Sequence, residues 1–149
     1  MLNRIMNNKS SFKEYINFEI AGHRQAFGLY IRAFQHDDEP YCYEAKHRLF
    51  LCLDYIHQFL DETKLVAIYV DIISDQESET KGLYQMVQDI NSGIFTKFLT
   101  FDLIELMNDE KISEKIHRVS QQIEQMEAYD LSGNLIQADF IPLNQLLGV

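Results

Sequence analysis

Two long apolar runs dominate the hydrophobic pattern of the chain. Residues 27–33 (FGLYIRA) and 65–73 (LVAIYVDII) are almost continuously apolar, aromatic or β-branched, which is typical of strands buried on both faces of a sheet. A polar loop follows each run. We therefore predict two central strands. Shorter strands are predicted at residues 94–101, 127–131 and 135–140.

The segments between these strands carry apolar residues at spacings of three and four, as amphipathic helices do. Between Tyr41 and Leu60 the apolar positions form one stripe, so this helix is expected to cover the sheet. Tyr41 and Tyr43 at its start are predicted to pack in the core rather than form an aromatic contact surface. Further helices are predicted at residues 12–20, 82–91, 102–108 and 111–126.

The alternation of strands and helices indicates an α/β fold. Such an order favours a mostly parallel sheet with right-handed crossovers and helices on both faces. A chain of 149 residues has enough length for one such core and too little for two ordinary domains. We therefore expect a single α/β domain.

Charge and cysteine content narrow the classes of function. Thirteen basic and 23 acidic residues give a net charge of −10, which repels phosphate backbones, so unaided DNA binding is not expected. Cys42 and Cys52 lie about 15 Å apart along one predicted helix, too far to bridge within it, and are expected to be free thiols. The sequence has no apolar stretch typical of a membrane span or signal peptide, so we expect a cytoplasmic protein.

Residue types alone do not indicate a metal, phosphate-binding or nucleophilic site in this chain. Residues 36–39 (HDDE) favour a solvated turn over a metal site, and the spacing of His47, Cys52 and His57 does not place them on one helix face. None of the six glycines forms a phosphate-binding loop. Ser74 and Ser78 are interpreted as loop residues rather than nucleophiles, because no base lies near them in sequence. No metal or cofactor is expected.

Several motif pieces nevertheless follow one another in the order of a known family. LYIRAF (residues 29–34) looks like a Y-x-R-V-S segment in which Tyr30 and Arg32 match and Phe34 stands at the serine. YEAKHRLFLCLDYI (residues 43–56) looks like a helix that begins near S-x-E-A-Q. IYVDIISDQESETKGLYQMVQDINSG (residues 68–93) looks like Y-V-D-E-G-x-S-G, a loop, R-P-G-L and a helix ending in D-I-x-x-G, with Thr80 at the arginine. DLIELMN (residues 102–108) looks like D-L-x-R-L-x-R. The matching residues in the later pieces are Glu44, Ala45, Asp71, Ser74, Gly82, Leu83, Asp89, Ile90, Gly93, Asp102, Leu103 and Leu106.

Over roughly residues 27–136 the chain thus resembles the N-terminal catalytic domain of the serine recombinases, which include resolvases, invertases and large serine integrases. The resemblance implies a resolvase-like three-layer sandwich with a mostly parallel central sheet of four to five strands. It divides the chain into an N-terminal helical extension (residues 1–26), the α/β domain (27–141) and a short apolar tail (142–149).

The family chemistry requires groups that this chain lacks. A serine hydroxyl attacks a DNA phosphodiester, and clustered arginines stabilise the transition state. The degenerate family positions are Arg32, Phe34, Thr80, Glu105 and Asn108. Only Arg32 keeps its cation, and we expect it to form a structural pair, with Asp102 or Asp71, rather than to bind phosphate. No enzymatic activity is therefore expected.

These considerations favour a catalytically inactive serine-recombinase-like domain that acts as a protein-interaction or regulatory module in the DNA recombination of a mobile element. Its expected partner is an active recombinase or another copy of itself, bound through exposed apolar residues within 15–20 or 142–149. The alternative is a DNA-binding or strand-exchange component that keeps activity through unrecognised residues. That alternative needs a basic patch, whereas lysine and arginine are scattered along the sequence. An unrelated nucleotide-binding α/β protein ranks last.

Overall fold

A computed structural model describes residues 11–36, 38–74, 80–123, 126–132 and 140–143. The strands are β1 (Phe12–Tyr15), β2 (Phe27–Phe34), β3 (Leu65–Ile73), β4 (Lys97–Thr100), β5 (Glu127–Asp130) and β6 (Ile141–Pro142). The helices are α1 (Tyr43–Phe59), α2 (Lys81–Asn91), α3 (Leu103–Met107) and α4 (Glu110–Gln122). Short 3₁₀ turns cover Phe18–Ile20 and Glu62–Lys64.

The described strands form one mixed sheet in the order β1-β3-β2-β4-β5-β6. The four central strands run parallel to one another, whereas β1 and β6 pair antiparallel at the two edges. The α/β class is confirmed. The expected mostly parallel sheet of four to five strands is wrong, because antiparallel strands extend the parallel core on both sides.

The helix predicted for residues 12–20 is not present. Residues 12–15 instead form β1, which places Phe12 opposite Val70 and Tyr15 opposite Ala67 on the outer edge of β3. The backbone N–H of Ile72 donates a hydrogen bond to Ser11 Oγ at 3.0 Å, just before β1 begins. Residues 12–15 therefore belong to the sheet rather than to a helical extension, since the backbone groups at the edge of β3 need hydrogen-bond partners.

The other predicted elements within the described residues are confirmed, with boundaries that differ by a few residues. All nine residues of β3 are buried, as its continuous apolar sequence indicates. The strand predicted at residues 135–140 lies almost entirely outside the described residues, and the described strand there is β6. Leu143 is buried in the core, which overturns its prediction as part of an exposed apolar tail, and residues 144–149 lie outside the described part.

The sheet separates two apolar clusters. One contains Leu29 and Ile31 with the buried side of α1, and the other contains Tyr30 and Tyr69 with the buried sides of α2 and α4. Neighbouring residues of β2 point to opposite faces, as strand geometry requires. The molecule therefore has three layers, with α1 on one face of the sheet and α2 and α4 on the other.

Both cysteines are buried free thiols, in agreement with the sequence analysis. Burial raises the pKa of the Cys52 thiol to about 12, and burial likewise raises the pKa of Cys42. Because the thiolate is the reactive form, both side chains are expected to be inert in the folded protein. None of the described helices combines the length and apolar character that a bilayer crossing requires.

Candidate functional site

The direction of winding reverses at the centre of the sheet. The chain passes from β2 through α1 to β3 on one side, and then through α2 to β4 on the other side of β2. In open α/β sheets, the crevice at the carboxyl ends of the strands beside such a reversal is the usual place for a binding site. The carboxyl ends of β2 and β4, which we call the carboxyl edge, therefore form the candidate site.

Arg48 of α1 is the centre of an ion-pair network at this edge. Its guanidinium donates to both carboxylate oxygens of Glu105 in α3, at 3.1 and 2.9 Å, and contacts Glu44 at 2.8 Å. It also donates to the backbone oxygen of Arg32 at 2.9 Å. The second Glu44 oxygen accepts a hydrogen bond from the backbone N–H of Phe34. Arg48 thus ties α1, α3 and the end of β2 together.

Arg32, near the end of β2, has a different acidic partner. Its guanidinium donates to Asp109 at 3.1 Å, and its Nε is buried without a hydrogen-bond partner. The guanidinium also lies 5.7 Å from the centre of the Phe34 ring. The expectation of a structural ion pair is confirmed, but the expected partners are wrong. The carboxylate of Asp71 instead accepts hydrogen bonds from Tyr30, Gly82 and Leu83. Asp102 caps α3 by accepting from the backbone N–H of Glu105.

The space between the two arginines is almost filled. Arg32, Arg48, Thr100, Phe101, Asp102, Glu105 and Leu106 line a cavity of about 10 Å³. That volume is about the minimum needed to hold one water molecule, and a phosphate group is several times larger. Both arginines are therefore paired with carboxylates of the chain itself, although Arg32 Nε has no partner, and the cavity has no room for an external anion in this conformation.

The electrostatics match this geometry. Burial alone would raise the pKa of Asp109, but the hydrogen bond from the Ile112 backbone N–H and the charge of Arg32 outweigh it and lower the pKa. Burial alone would lower the pKa of Arg48, but hydrogen bonding to Glu105 and the charge of Glu44 outweigh it and raise the pKa. Both shifts favour the charged forms of Asp109 and Arg48. Each charge is stabilised by its own ion-pair partner in the folded state.

The depressed pKa of Asp109 predicts a pH-dependent contribution to stability. Asparagine also caps helices well, so Asp109→Asn removes mainly the charge, and we expect it to lower the free energy of unfolding by about 1–2 kcal/mol at neutral pH. A carboxyl whose folded pKa lies below its unfolded value loses its contribution as the pH falls through the folded pKa. Urea denaturation of both proteins should therefore show a difference that shrinks below about pH 4. An equal difference at neutral and acidic pH would assign the effect to something other than the charge.

The structure gathers most of the family-derived positions at the carboxyl edge. Phe34 ends β2 and Glu105 holds Arg48, whereas Asn108 directly precedes Asp109, the partner of Arg32. Thr80 lies elsewhere, at the start of α2 on the opposite face of the sheet. Its hydroxyl accepts a hydrogen bond from Lys115 of α4 at 3.4 Å.

Asp71 holds the start of α2. Its buried carboxylate accepts from the backbone N–H groups of Gly82 and Leu83 at 2.7 and 3.0 Å, and from the Tyr30 hydroxyl at 2.7 Å. A Cβ atom at Gly82 would lie 2.9 Å from Asp71 Oδ1, so only glycine lets the carboxylate approach this closely. Burial and the adjacent Asp71 charge raise the pKa of Tyr30, which therefore stays a hydrogen-bond donor.

Sequence reasoning missed three members of the network, namely Glu44 as an ion-pair partner, Arg48 and Asp109. The i,i+4 spacing of Glu44 and Arg48 on a predicted helix is a detectable signal for that pair. Asp109 before a helical segment is a detectable capping signal, and it accepts from the backbone N–H groups of Lys111 and Ile112. No local pattern indicates that Arg32 would reach across to Asp109.

The rim of the carboxyl edge exposes apolar side chains. Phe34 is 39% exposed, and Ile104, the neighbour of Glu105, is 69% exposed. Tyr43 is also exposed, so its predicted core position is wrong; its ring packs edge-on against the partly buried Tyr41. At the opposite end of the sheet, Phe18 is 49% exposed, within the segment predicted to be an apolar surface.

The structure gives no support for a metal site or a nucleophilic serine among the described residues. Within the described residues, no three histidine, cysteine, aspartate or glutamate side chains converge as metal ligands would. Ser74 is exposed, and Ser78 lies outside the described residues. No protein-family model, curated protein or solved structure matches the chain.

Proposed function

We propose that the chain is a catalytically inactive serine-recombinase-like domain that regulates site-specific DNA recombination in a mobile element by binding protein. The observation that carries this proposal is the state of the two arginines at the carboxyl edge. Arg48 is held by Glu105 and Glu44, Arg32 is held by Asp109, and the cavity between them is about 10 Å³. Phosphoryl transfer needs unpaired cations aimed at the developing negative charge, and this edge offers the opposite arrangement.

The position of Phe34 supports the same proposal. It stands where the resemblance places the nucleophilic serine, and its ring has no group that can attack phosphorus. The carboxylates of Glu105 and Asp109 would also repel a DNA phosphate, as would the net charge of −10. A domain that keeps its apolar framework but has no free cations at its site is suited to binding rather than to chemistry.

The rim of the carboxyl edge is the proposed contact surface. Exposed apolar side chains beside charges that already pair with one another form a surface that can be buried without leaving a charge unpaired. Phe34 and Ile104 provide the apolar part, and the Arg48 network lies between their elements. The proposed partner is an active serine recombinase, the class that the resemblance indicates.

The test is affinity capture of the tagged full chain from its native cells, with nuclease added to remove bridging DNA. The double variant Phe34→Glu/Ile104→Glu is expected to lose a recombinase that the native chain retains, because a partner would have to bury two carboxylates. Phe18→Glu changes a ring whose exposure, 49%, lies between those of Phe34 and Ile104, and serves as the control at the opposite end of the sheet. Equal recovery of the recombinase with the double variant and the native chain would refute the proposed surface.

A second measurement tests the absence of catalysis. The native chain is expected to show no duplex DNA binding by fluorescence anisotropy at physiological salt, and no covalent adduct with nicked or intact duplex. A protein–DNA adduct that survives denaturation would overturn the proposal and establish the alternative, an active strand-exchange component. Salt-dependent binding without an adduct would also contradict it, because the acidic surface is expected to prevent such binding.

A further inference from the structure

The outer face of α1 presents large apolar side chains to solvent. The helix buries Ala45, Leu49, Cys52 and Ile56 on the opposite face against the sheet. Phe50 is 56% exposed and Leu51 is 36% exposed, and Tyr43 is 45% exposed although its ring packs edge-on against Tyr41. We define the outer stripe of α1 as Tyr43, His47, Phe50, Leu51, Asp54 and Gln58, all exposed. These six residues fall within roughly 100° of the helix circumference.

The outer stripe is self-complementary when two copies of the helix run antiparallel. Counting outward from the point between Phe50 and Leu51, each stripe residue has a counterpart at the same distance on the other side. His47 corresponds to Asp54 in this way, and Tyr43 corresponds to Gln58. The pairs join an aromatic ring to a leucine, an imidazole to a carboxylate, and a phenol to an amide. When two copies of such a helix pack antiparallel about this point, every stripe residue meets its counterpart from the other copy.

We propose that α1 is a homodimer interface in which two copies of the chain pack their outer stripes antiparallel about a two-fold axis. Phe50 of each copy packs against Leu51 of the other, which buries the most exposed aromatic side chain of the stripe. His47 of each copy faces Asp54 of the other, so one such polar pair lies on each side of the apolar centre. Tyr43 is the one stripe residue that also lies at the carboxyl-edge rim, whereas the central Phe50 and Leu51 do not belong to that rim, and the inference does not depend on the proposed function.

The chemistry of the stripe selects a second copy rather than an unrelated partner. A two-fold contact must be self-complementary, and the stripe has this property in both its apolar and its polar positions. A membrane surface would favour lysine and arginine around the apolar residues, whereas this stripe carries Asp54. One helix pair gives a small interface, so we expect a dimer in reversible exchange with monomer.

Sedimentation velocity of the full chain over a concentration series up to about 1 mM tests the dimer. The native chain is expected to shift from monomer to dimer, and Phe50→Glu is expected to stay monomeric because its carboxylate would be buried against Leu51. Ile104→Glu, on the carboxyl-edge rim, is the control that should dimerise normally. Phe50 and Ile104 are both exposed in the native chain, and circular dichroism verifies that each variant folds. A native chain that stays monomeric, or a dimer lost equally in both variants, would overturn the proposal.

Charge substitution tests the antiparallel register itself. His47→Glu places a carboxylate opposite Asp54 of the other copy and is expected to weaken dimerisation at least tenfold. The double variant His47→Glu/Asp54→Lys places opposite charges at the same contact and is expected to recover most of the lost affinity. A merely structural effect within one helix would not produce this rescue, because residues 47 and 54 lie about two turns apart. Failure of the double variant to dimerise would contradict the proposed register.

The carboxyl-edge variants separate the two proposals. Phe34→Glu/Ile104→Glu should dimerise like the native chain while losing its recombinase partner, and Phe50→Glu should show the reverse. Loss of dimerisation in the carboxyl-edge variant would place the self-contact at that edge and refute the α1 interface.

Discussion

Asp71→Ala is expected to lower the free energy of unfolding by about 3–5 kcal/mol, because it removes one acceptor from three buried donors. The Gly82 and Leu83 N–H groups and the Tyr30 hydroxyl all point at this carboxylate from within the core. Alanine is too small to replace it, and each unsatisfied donor costs desolvation energy. Urea denaturation followed by circular dichroism measures the change.

Asp102→Ala provides the matched control for Asp71. Asp102 also caps a helix, but it is partly exposed and accepts from one backbone N–H, that of Glu105 at 3.0 Å. Its loss is expected to cost about 1 kcal/mol, since water can reach the freed N–H group. Equal costs for the two substitutions would contradict the role assigned to Asp71 as the anchor between β3, β2 and α2.

Arg48→Met is expected to lower the free energy of unfolding by about 2–4 kcal/mol. The substitution keeps much of the side-chain volume but leaves Glu44 and Glu105 without their shared cation, so two nearby carboxylates repel each other. It also removes the donor to the backbone oxygen of Arg32. The Arg48 side chain is only 14% exposed, so water replaces these contacts poorly. Thermal and urea denaturation at neutral pH measure the loss.

Arg118→Met is the control for Arg48, because both arginines pair with a glutamate four residues earlier on a helix. The Arg118–Glu114 distance is 3.9 Å, and both side chains are about 70% exposed. Exposed pairs of this kind contribute roughly 0–1 kcal/mol, so a small change is expected. A high-salt series should reduce the Arg118 effect more than the Arg48 effect, since buried pairs are screened less. Similar losses for both variants would mean that burial does not determine the contribution of Arg48.

The sequence predicts the parallel core well because the apolar composition of those strands indicates that they are buried. The continuous apolar run of β3 requires burial on both faces, and α1, α2 and α4 show a clear buried stripe. Residues 12–15 show the limit of this reasoning. Phe12, Tyr15 and Ile16 have helical spacing, but the open edge of β3 offers a row of backbone partners that no local pattern reveals.

The candidate site was only partly predictable for a related reason. The resemblance draws attention to Arg32, Phe34 and Glu105, which do meet at the carboxyl edge. The partners of the arginines depend on how α1, α3 and α4 pack around β2, so Asp109 could not be distinguished from Asp102 or Asp71. The outer stripe of α1 was overlooked because a search for a buried stripe assigns the other side of a helix to solvent.

The position of β2 at the centre of the sheet has a consequence for synthesis on the ribosome. Its neighbours are β3, which follows after one helix, and β4, which does not emerge until residues 35–96 have been made. At about 5–20 residues per second, the synthesis of residues 74–100 takes roughly one to five seconds after β3 is complete, and for that time β2 lacks its neighbour β4. During that interval the unpaired N–H and C=O groups along one edge of β2 are open to pairing with another nascent chain. Misassembly of this protein would therefore begin on polysomes, where β2 strands of neighbouring nascent chains can pair before synthesis is complete.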